Sequence, residues 1–452
     1  MAALPKEVQY NKPMASLPAE TSSMNVNVRP SNGAVFTRAG GDIIQFDLPA
    51  HSFLVPSSLT LRGLIQLTPT AGATDKFHVA GIPGASWIQR VETIVGGSLL
   101  ESVNDYGRLY NLLGQTNIDY ATKAGLQTEF ALGGGGLDGL DPKNPTFHTL
   151  NGRAGPQFAG NDAAVAGEFS FAIPLGCLLS SCSELIPLGH MGGVRIQLTT
   201  DQVSNFIRNS SAQGNATSPG IRYSQLELNF DLVDFGGAMD GVVRSMANAE
   251  GDLVLKSQGW NVSNVNLPVQ VANNQSEFVF NVRLSSIKSL VAQGTGTAKS
   301  QCVNGLYDAV QIAGPAGSTQ FFIANKAYPQ TPLREDNNAS VMSALRQAFG
   351  EAHDIYHSNI AIPQKQFLEI ADTTTTTASS EFEPASHFVG MNTEKLSTNS
   401  VMMSGESSQL TPINVRLNPS AVTDAAATLT LYACYDALIG INVASRQIQV
   451  RV

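Results

Sequence analysis

The chain has 452 residues, more than one hydrophobic core usually holds, so two domains are the starting expectation, with room for a third. Charged residues make up only 14%, against 41 Gly and 22 Pro, a balance that disfavours an α-rich enzyme and suits an all-β protein with many turns and long loops. The net charge of −9, with no basic arm over the first 40 residues, argues against a nucleic-acid binder. Low charge density fits a surface covered by neighbouring subunits, and equally fits a weakly charged soluble β-protein.

Cys177, Cys182, Cys302 and Cys434 form no CxxC or zinc-ligand pattern and read as free, mostly buried thiols. The sequence has no charged-then-apolar leader and no apolar run of membrane-spanning length, so synthesis in a reducing intracellular compartment is expected. The sequon at Asn215 is then a chance match.

Residues 1–40 lack a sustained period and hold Pro5, Pro13, Pro18 and Pro30, which reads as an extended arm. Regular structure is expected from Asp42, with a short strand through Ile43, Ile44, Phe46 and Leu48. In Ser58–Leu67, Leu59, Leu61, Gly63, Ile65 and Leu67 alternate with Thr60, Arg62, Leu64 and Gln66, the pattern of a strand with one buried face. Ile88–Val95 and Ser98–Val103 flank Gly96-Gly97, which supplies the positive φ of a tight hairpin turn. A helix follows, capped by Asn104 or Asp105, with Tyr106, Leu109, Tyr110 and Leu113 along one side. Such a hairpin cannot bury its apolar face alone and implies a larger β assembly.

Residues 114–166 are a long Gly-rich excursion; its GGGGLDG run lacks Lys-Ser/Thr and opens no helix, so it reads as a loop and not as a phosphate cradle. Strands resume at Glu168–Ile173, a short helix or turn occupies Leu178–Met191, and Val194–Thr199 and Tyr223–Phe235 alternate cleanly. That makes roughly eight strands, enough for one β-sandwich over 41–236, with 237–251 as linker.

The second half, 252–452, repeats the plan. Phe278, Phe280, Val282 and Leu284 alternate, and the run continues through Ile287 and Leu290. Tyr307–Ile312 and Gln320–Ala324 read as strands, Asn338–His353 as a helix capped by Asn337 or Asn338, and Ile413–Leu417, Thr428–Ile439 and Gln447–Val452 as the closing strands. Thr373–Thr377 lies in a polar loop. Leu61-Arg62 and Val282-Arg283 are 221 residues apart, as are Val194-Arg195 and Val415-Arg416, and Phe230-Asp231 precedes Tyr435-Asp436 by 205. Together with the equal strand order, these matches favour two copies of one β-sandwich.

No catalytic, cofactor-binding or metal-ligating residue emerges. His353 and His357 are four apart without an HExxH frame, and His51, His78, His148, His190 and His387 are scattered. There is no nucleophile elbow, no P-loop and no dinucleotide fingerprint. Glu335–Asp336 and Glu381–Glu383 fall in loops, and only Trp87 and Trp260 could offer an indole platform to sugars, both reading as strand residues. No enzymatic activity is expected.

The order FDLPAHSFLVPSSLTLRG, SWIQRVETIVGGSLLESVNDYGRLYNLL and FSFAIPLG…LIPLGHMGGVRIQL resembles the double jelly-roll major capsid proteins of icosahedral DNA viruses. The closing LTLYACYDALIGINVASRQIQVRV looks like the end of such a protein. The resemblance covers most of the chain, although 114–166 and 355–407 match only in being long. It implies two tandem eight-stranded jelly-rolls, homotrimeric pseudo-hexameric capsomers tiling a virion shell, neighbouring capsomers as partners, and penton and minor capsid proteins beside them. It also implies that 114–166 meets a neighbouring subunit. A carbohydrate-binding or carbohydrate-active β-sandwich, or a viral spike, is the alternative.

Overall fold

The computed structural model describes residues 21–38, 40–68, 76–79, 81–117, 129, 158–159, 167–209, 220–236, 243, 245, 252–296, 307, 309–314, 316–350, 360, 362, 367, 386–395, 403–420 and 426–452. Most of the 114–166 excursion, the Thr run, most of the 237–251 linker, Cys302, His148, His353, His357, Asn215 and Glu381–Glu383 lie outside these.

In the first half the long strands are β1 (Ser22–Val28), β2 (Ile43–Leu48), β3 (Thr60–Thr68), β4 (Ile88–Val95), β5 (Ser98–Asn104), β6 (Gly167–Pro174), β7 (Val194–Thr200) and β8 (Gly220–Asp234). Helices α1 (Pro83–Ser86) and α2 (Tyr106–Thr116) flank the β4–β5 hairpin. One sheet runs β1-β8-β3-β6 and the other β2-β7-β4-β5. All these pairings are antiparallel. Leu61, Ile65, Tyr223, Leu228 and Phe230 on the first sheet and Ile44, Phe46, Val91, Ile196 and Leu198 on the second supply the buried faces. Trp87, fully buried, packs its ring against Phe171 and Tyr223.

The second half holds β9 (Asp252–Asn266), β10 (Ser276–Phe280), β11 (Ile287–Gly296), β12 (Ser318–Ile323), β13 (Lys326–Arg334), α3 (Asn338–Ala348), β14 (Val389–Asn392), β15 (Ile413–Asn418), β16 (Ala426–Asn442) and β17 (Ile448–Arg451). Its sheets run β9-β16-β11-β14 and β10-β15-β12-β13, with β17 added beside β16. Adding eight to each strand number of the first half reproduces the second. The two halves are one topology used twice, as the sequence repeats suggested. The hairpin turns correspond as well: Gly96 and Gly97 have φ of 56° and 81°, Ala324 and Asn325 of 49° and 63°. In each half a helix follows the hairpin.

Several expectations need correction. The arm assigned to 1–40 is a strand from Ser22 onward, held in full register against β8, so the first sandwich begins at least there. Its alternation escapes a hydrophobicity reading because Asn25 and Asn27 are linked to Asn229 by side-chain hydrogen bonds where apolar residues would be sought. Phe278 through Leu290 is not one strand. The chain leaves the sheet after Phe280, where the Val282 N–H turns back onto the Phe280 carbonyl, and Ser408 takes the Leu284 N–H before β11 begins in the other sheet. The Leu61/Val282 match is therefore accidental. The Val-Arg match holds at the level of strands: Arg195 on β7 reaches Asp47 on β2 at 2.6 Å, and Arg416 on β15 reaches Glu277 on β10 at 3.6 Å. Trp87 caps α1 instead of lying in a strand.

Trp87→Ala should open a cavity against Phe171 and Tyr223 and cost about 3–5 kcal/mol. Urea unfolding followed by far-UV circular dichroism should show the corresponding fall in midpoint.

Candidate assembly surfaces

The candidate functional surface is the seam between the two sandwiches, and α2 builds it. The run YGRLYNLLGQT places Tyr106, Leu109 and Tyr110 on one side as expected, yet nearly every residue of the helix is buried. One side closes the end of the first sandwich; the other lies against the second. Gly107 permits this approach: a Cβ there would stand 2.5 Å from the Tyr307 hydroxyl and 2.9 Å from the Ser86 backbone.

Asp105 does not cap α2 through its side chain, contrary to expectation. It sits in the left-handed region at φ 50°, and its carboxylate instead pairs with Arg108 at 2.5 Å and accepts from Asn264 of β9 at 2.5 Å. Arg108 also donates to Thr430 of β16, and Thr430 donates to Asn264, closing a ring of polar contacts across the seam. The Tyr307 hydroxyl adds a bond to the Ser86 carbonyl at 2.8 Å. A few residues away, Ser257 of β9 donates to the Leu178 carbonyl, and Leu178 N–H is accepted by Glu101.

Between these contacts lies a cavity of about 340 Å³, walled by Leu59, Tyr106, Leu109, Tyr110 and Trp260, with Glu101 among its few polar groups. Burial pushes the Glu101 carboxyl up to about 7, against the opposing bond from Leu178. Asp201, near the same seam, is pushed up to about 6 by burial, offset in part by bonds from Asn205 and the Gln202 N–H.

The residues weighed for chemistry do not converge. Glu335 is buried and accepts from the Ala313 N–H and Thr319, while Asp336 is exposed and pairs with Arg334. His387 lies 3.9 Å from Glu335, but burial holds its imidazole down at about 4, so at neutral pH this contact is not an ion pair. His190 sits in a one-turn 3₁₀ helix and His51 is exposed. Cys177, Cys182 and Cys434 are free and buried, with thiols pushed up by burial to about 12, 11 and 12. Trp87 is buried and Trp260 is half-buried on Phe349, so neither offers an open platform. Among the described residues no group of three metal-ligating side chains occurs, and no helix is long and apolar enough to cross a membrane.

No protein-family model and no curated protein sequence matches the chain. Solved structures do. The Faustovirus major capsid protein aligns over 96% of this chain and 92% of its own at 10% identity, with a TM-score of 0.58. The quasi-atomic model of the PBCV-1 virus capsid gives 98%, 99%, 10% and 0.55 for the same four measures. The mavirus major capsid protein gives 100%, 95%, 12% and 0.50. This chain has the double jelly-roll fold. The likeness spans both sandwiches, so the tandem arrangement itself is shared, at identities too low to carry residue roles across.

Two outcomes are expected at the seam of this double jelly-roll. Leu109→Asp places an unpaired charge on a face buried on both sides and should cost several kcal/mol, read as a drop in melting temperature. Glu101→Gln should flatten the pH dependence. A carboxyl whose folded pKa lies above its unfolded value binds its proton more tightly when folded, so its contribution is present at low pH and is lost as pH rises from about 4.5 to about 7. Wild type should therefore lose up to about 3 kcal/mol relative to the variant between pH 4.5 and 8, measured by paired melts across that range.

Proposed function

We propose that this chain is the major structural protein of an icosahedral virion shell, assembling as homotrimers with six sandwich lobes each. The observation that carries this reading is the duplicated eight-stranded topology, fixed within one chain by a polar and apolar seam, in a fold matched over 96% of its length by the Faustovirus major capsid protein. Two similar lobes per chain and three chains per ring give a nearly six-fold unit, the shape that tiles a flat facet. A closed trimer requires a heterologous interface, with the first sandwich of one chain against the second of the next.

The partners are then further copies of the chain, neighbouring capsomers, and penton and minor capsid proteins at vertices and edges. The location is the virion. The acidic balance leaves genome neutralisation to other proteins. Catalysis forms no part of the role: the perturbed carboxyls sit in packing contacts, with Glu101 bonded to a backbone N–H.

Multi-angle light scattering on the purified chain should report three times the 47.8 kDa chain mass, and negative-stain images of assembled material should show hexagonal units. A stable monomer that binds or hydrolyses sugars would replace this reading with the carbohydrate-active one, and a protein present in a few copies per particle would point to a spike.

A further inference from the structure

The two sandwiches share a strand order but not a set of neighbours. In the second, the opening strand β9 is covered: Ser257 bonds to Leu178, Leu178 Cδ2 presses on Gly259, and Trp260 faces the cavity beside α2. Its counterpart β1 is open. Val26 stands opposite Phe230, and Gly259 stands opposite Tyr435, so aligning the Phe230-Asp231 and Tyr435-Asp436 repeats sets Val26 on Gly259. Met24 then occupies the position of Ser257, and Asn27 that of Trp260. Met24 is 44% exposed, as is Val35, which stands opposite Ser224 at the other end of β8. An edge strand showing free backbone groups and apolar side chains invites pairing unless something covers it.

The end of β1 runs into a groove of about 890 Å³ that crosses β8, β3 and β6. A bulge in β8 shapes it. The register against β3 slips between Ser224 and Glu227, and Gln225 adopts φ 51°, a left-handed conformation that a non-glycine residue holds only at a cost. Arg29, Arg62 and Arg222 line the groove, with Glu227 as the one carboxylate among its described residues. Glu227 pairs with Arg29 at 3.2 Å. Among the described residues Arg62 and Arg222 have no carboxylate partner. The equivalent strand in the second sandwich, β11, is buried on both faces at Leu290, Val291, Ala292 and Gln293, whereas β3 shows Arg62 to solvent.

On a chain of net charge −9, two copies repel at most approaches, and a groove whose described residues set three guanidinium groups against one carboxylate is where another copy's acidic surface is attracted. We propose that β1 and the Arg29–Arg62–Arg222 groove form the receiving half of the heterologous contact, occupied by the second sandwich of a neighbouring copy of this chain. The inference rests on the shell-protein reading and gives its trimer an address: the first sandwich receives from the neighbour on β1 what β9 receives from α2 and Leu178 within the chain.

The test is light scattering at low salt on wild type, on Arg62→Glu/Arg222→Glu, and on Met24→Asp, each with circular dichroism and a melting curve. All three positions are exposed, so unchanged melts are expected. The contact predicts a trimeric wild type, a threefold lower mass for both variants, and loss of the wild-type trimer as salt is raised. A monomeric wild type would overturn the shell reading and this contact together. A trimeric wild type with trimeric, folded variants would overturn the contact and leave the reading standing. Fluorescent heparin that binds wild type but not the double variant, with trimer mass unaffected, would also overturn it and assign the groove to a polyanion. Should the double variant unfold, Met24→Asp decides alone.

Discussion

The structure depends on a helix that has no free side. α2 must close the first sandwich and meet the second, so its sequence carries apolar residues where a surface helix would carry charge, and its one charge, Arg108, is buried. A buried guanidinium is costly unless paired, and Asp105 supplies the pair from a backbone conformation that is itself unfavourable for a residue with a Cβ. Such a pair contributes little net stability beside a well-packed apolar substitute, but removing one partner leaves the other stranded. Its value lies in register. Only one placement of β9 and β16 puts Asn264 and Thr430 where Asp105 and Arg108 need them.

From that placement the rest of the seam follows. With Asn264 against Asp105, the strand carries Ser257, Gly259 and Trp260 past Leu178 and the face of α2. Tyr307, entering from the second half, then reaches Ser86 through the gap that Gly81 and Gly107 leave. The same segment that ends the hairpin thus fixes the geometry of the two lobes.

How much of this was legible depends on the range of the interaction. Strands whose alternation is apolar against polar, such as β3 and β7, declare themselves locally, as does the Gly96-Gly97 turn. β13 does not, because Pro329 and Pro332 interrupt its pattern, and β1 does not, because asparagines hold it. β9 declares itself only at Trp260, because its contacts come from both lobes, leaving Ser257 and Gly259 buried and Gln258 exposed. The seam itself was beyond reach: Asp105 meets a partner 159 residues away and Arg108 one 322 away, and no local pattern encodes either. The sequence did show Asp105 beside a helix start, where capping is the short-range use of an aspartate, and the long-range use prevailed.

Titratable groups divide along the same line. Glu101 and Asp201, both held up by burial, stand at the seam, so at neutral pH part of the cost of keeping carboxylates out of water falls on the contact between lobes. His387, held down by burial, belongs to the interior of the second lobe, and its contribution has the opposite sign: an imidazole with a lowered folded pKa gives up stability as pH falls from about 6.5 to about 4. Acid therefore relieves the seam while it loads the second sandwich. The two effects overlap between pH 4.5 and 6.5, where the lobes would be held to each other more firmly just as one of them weakens. A single melting transition would hide this, because the opposing slopes cancel in the sum and separate only when Glu101 or His387 is replaced.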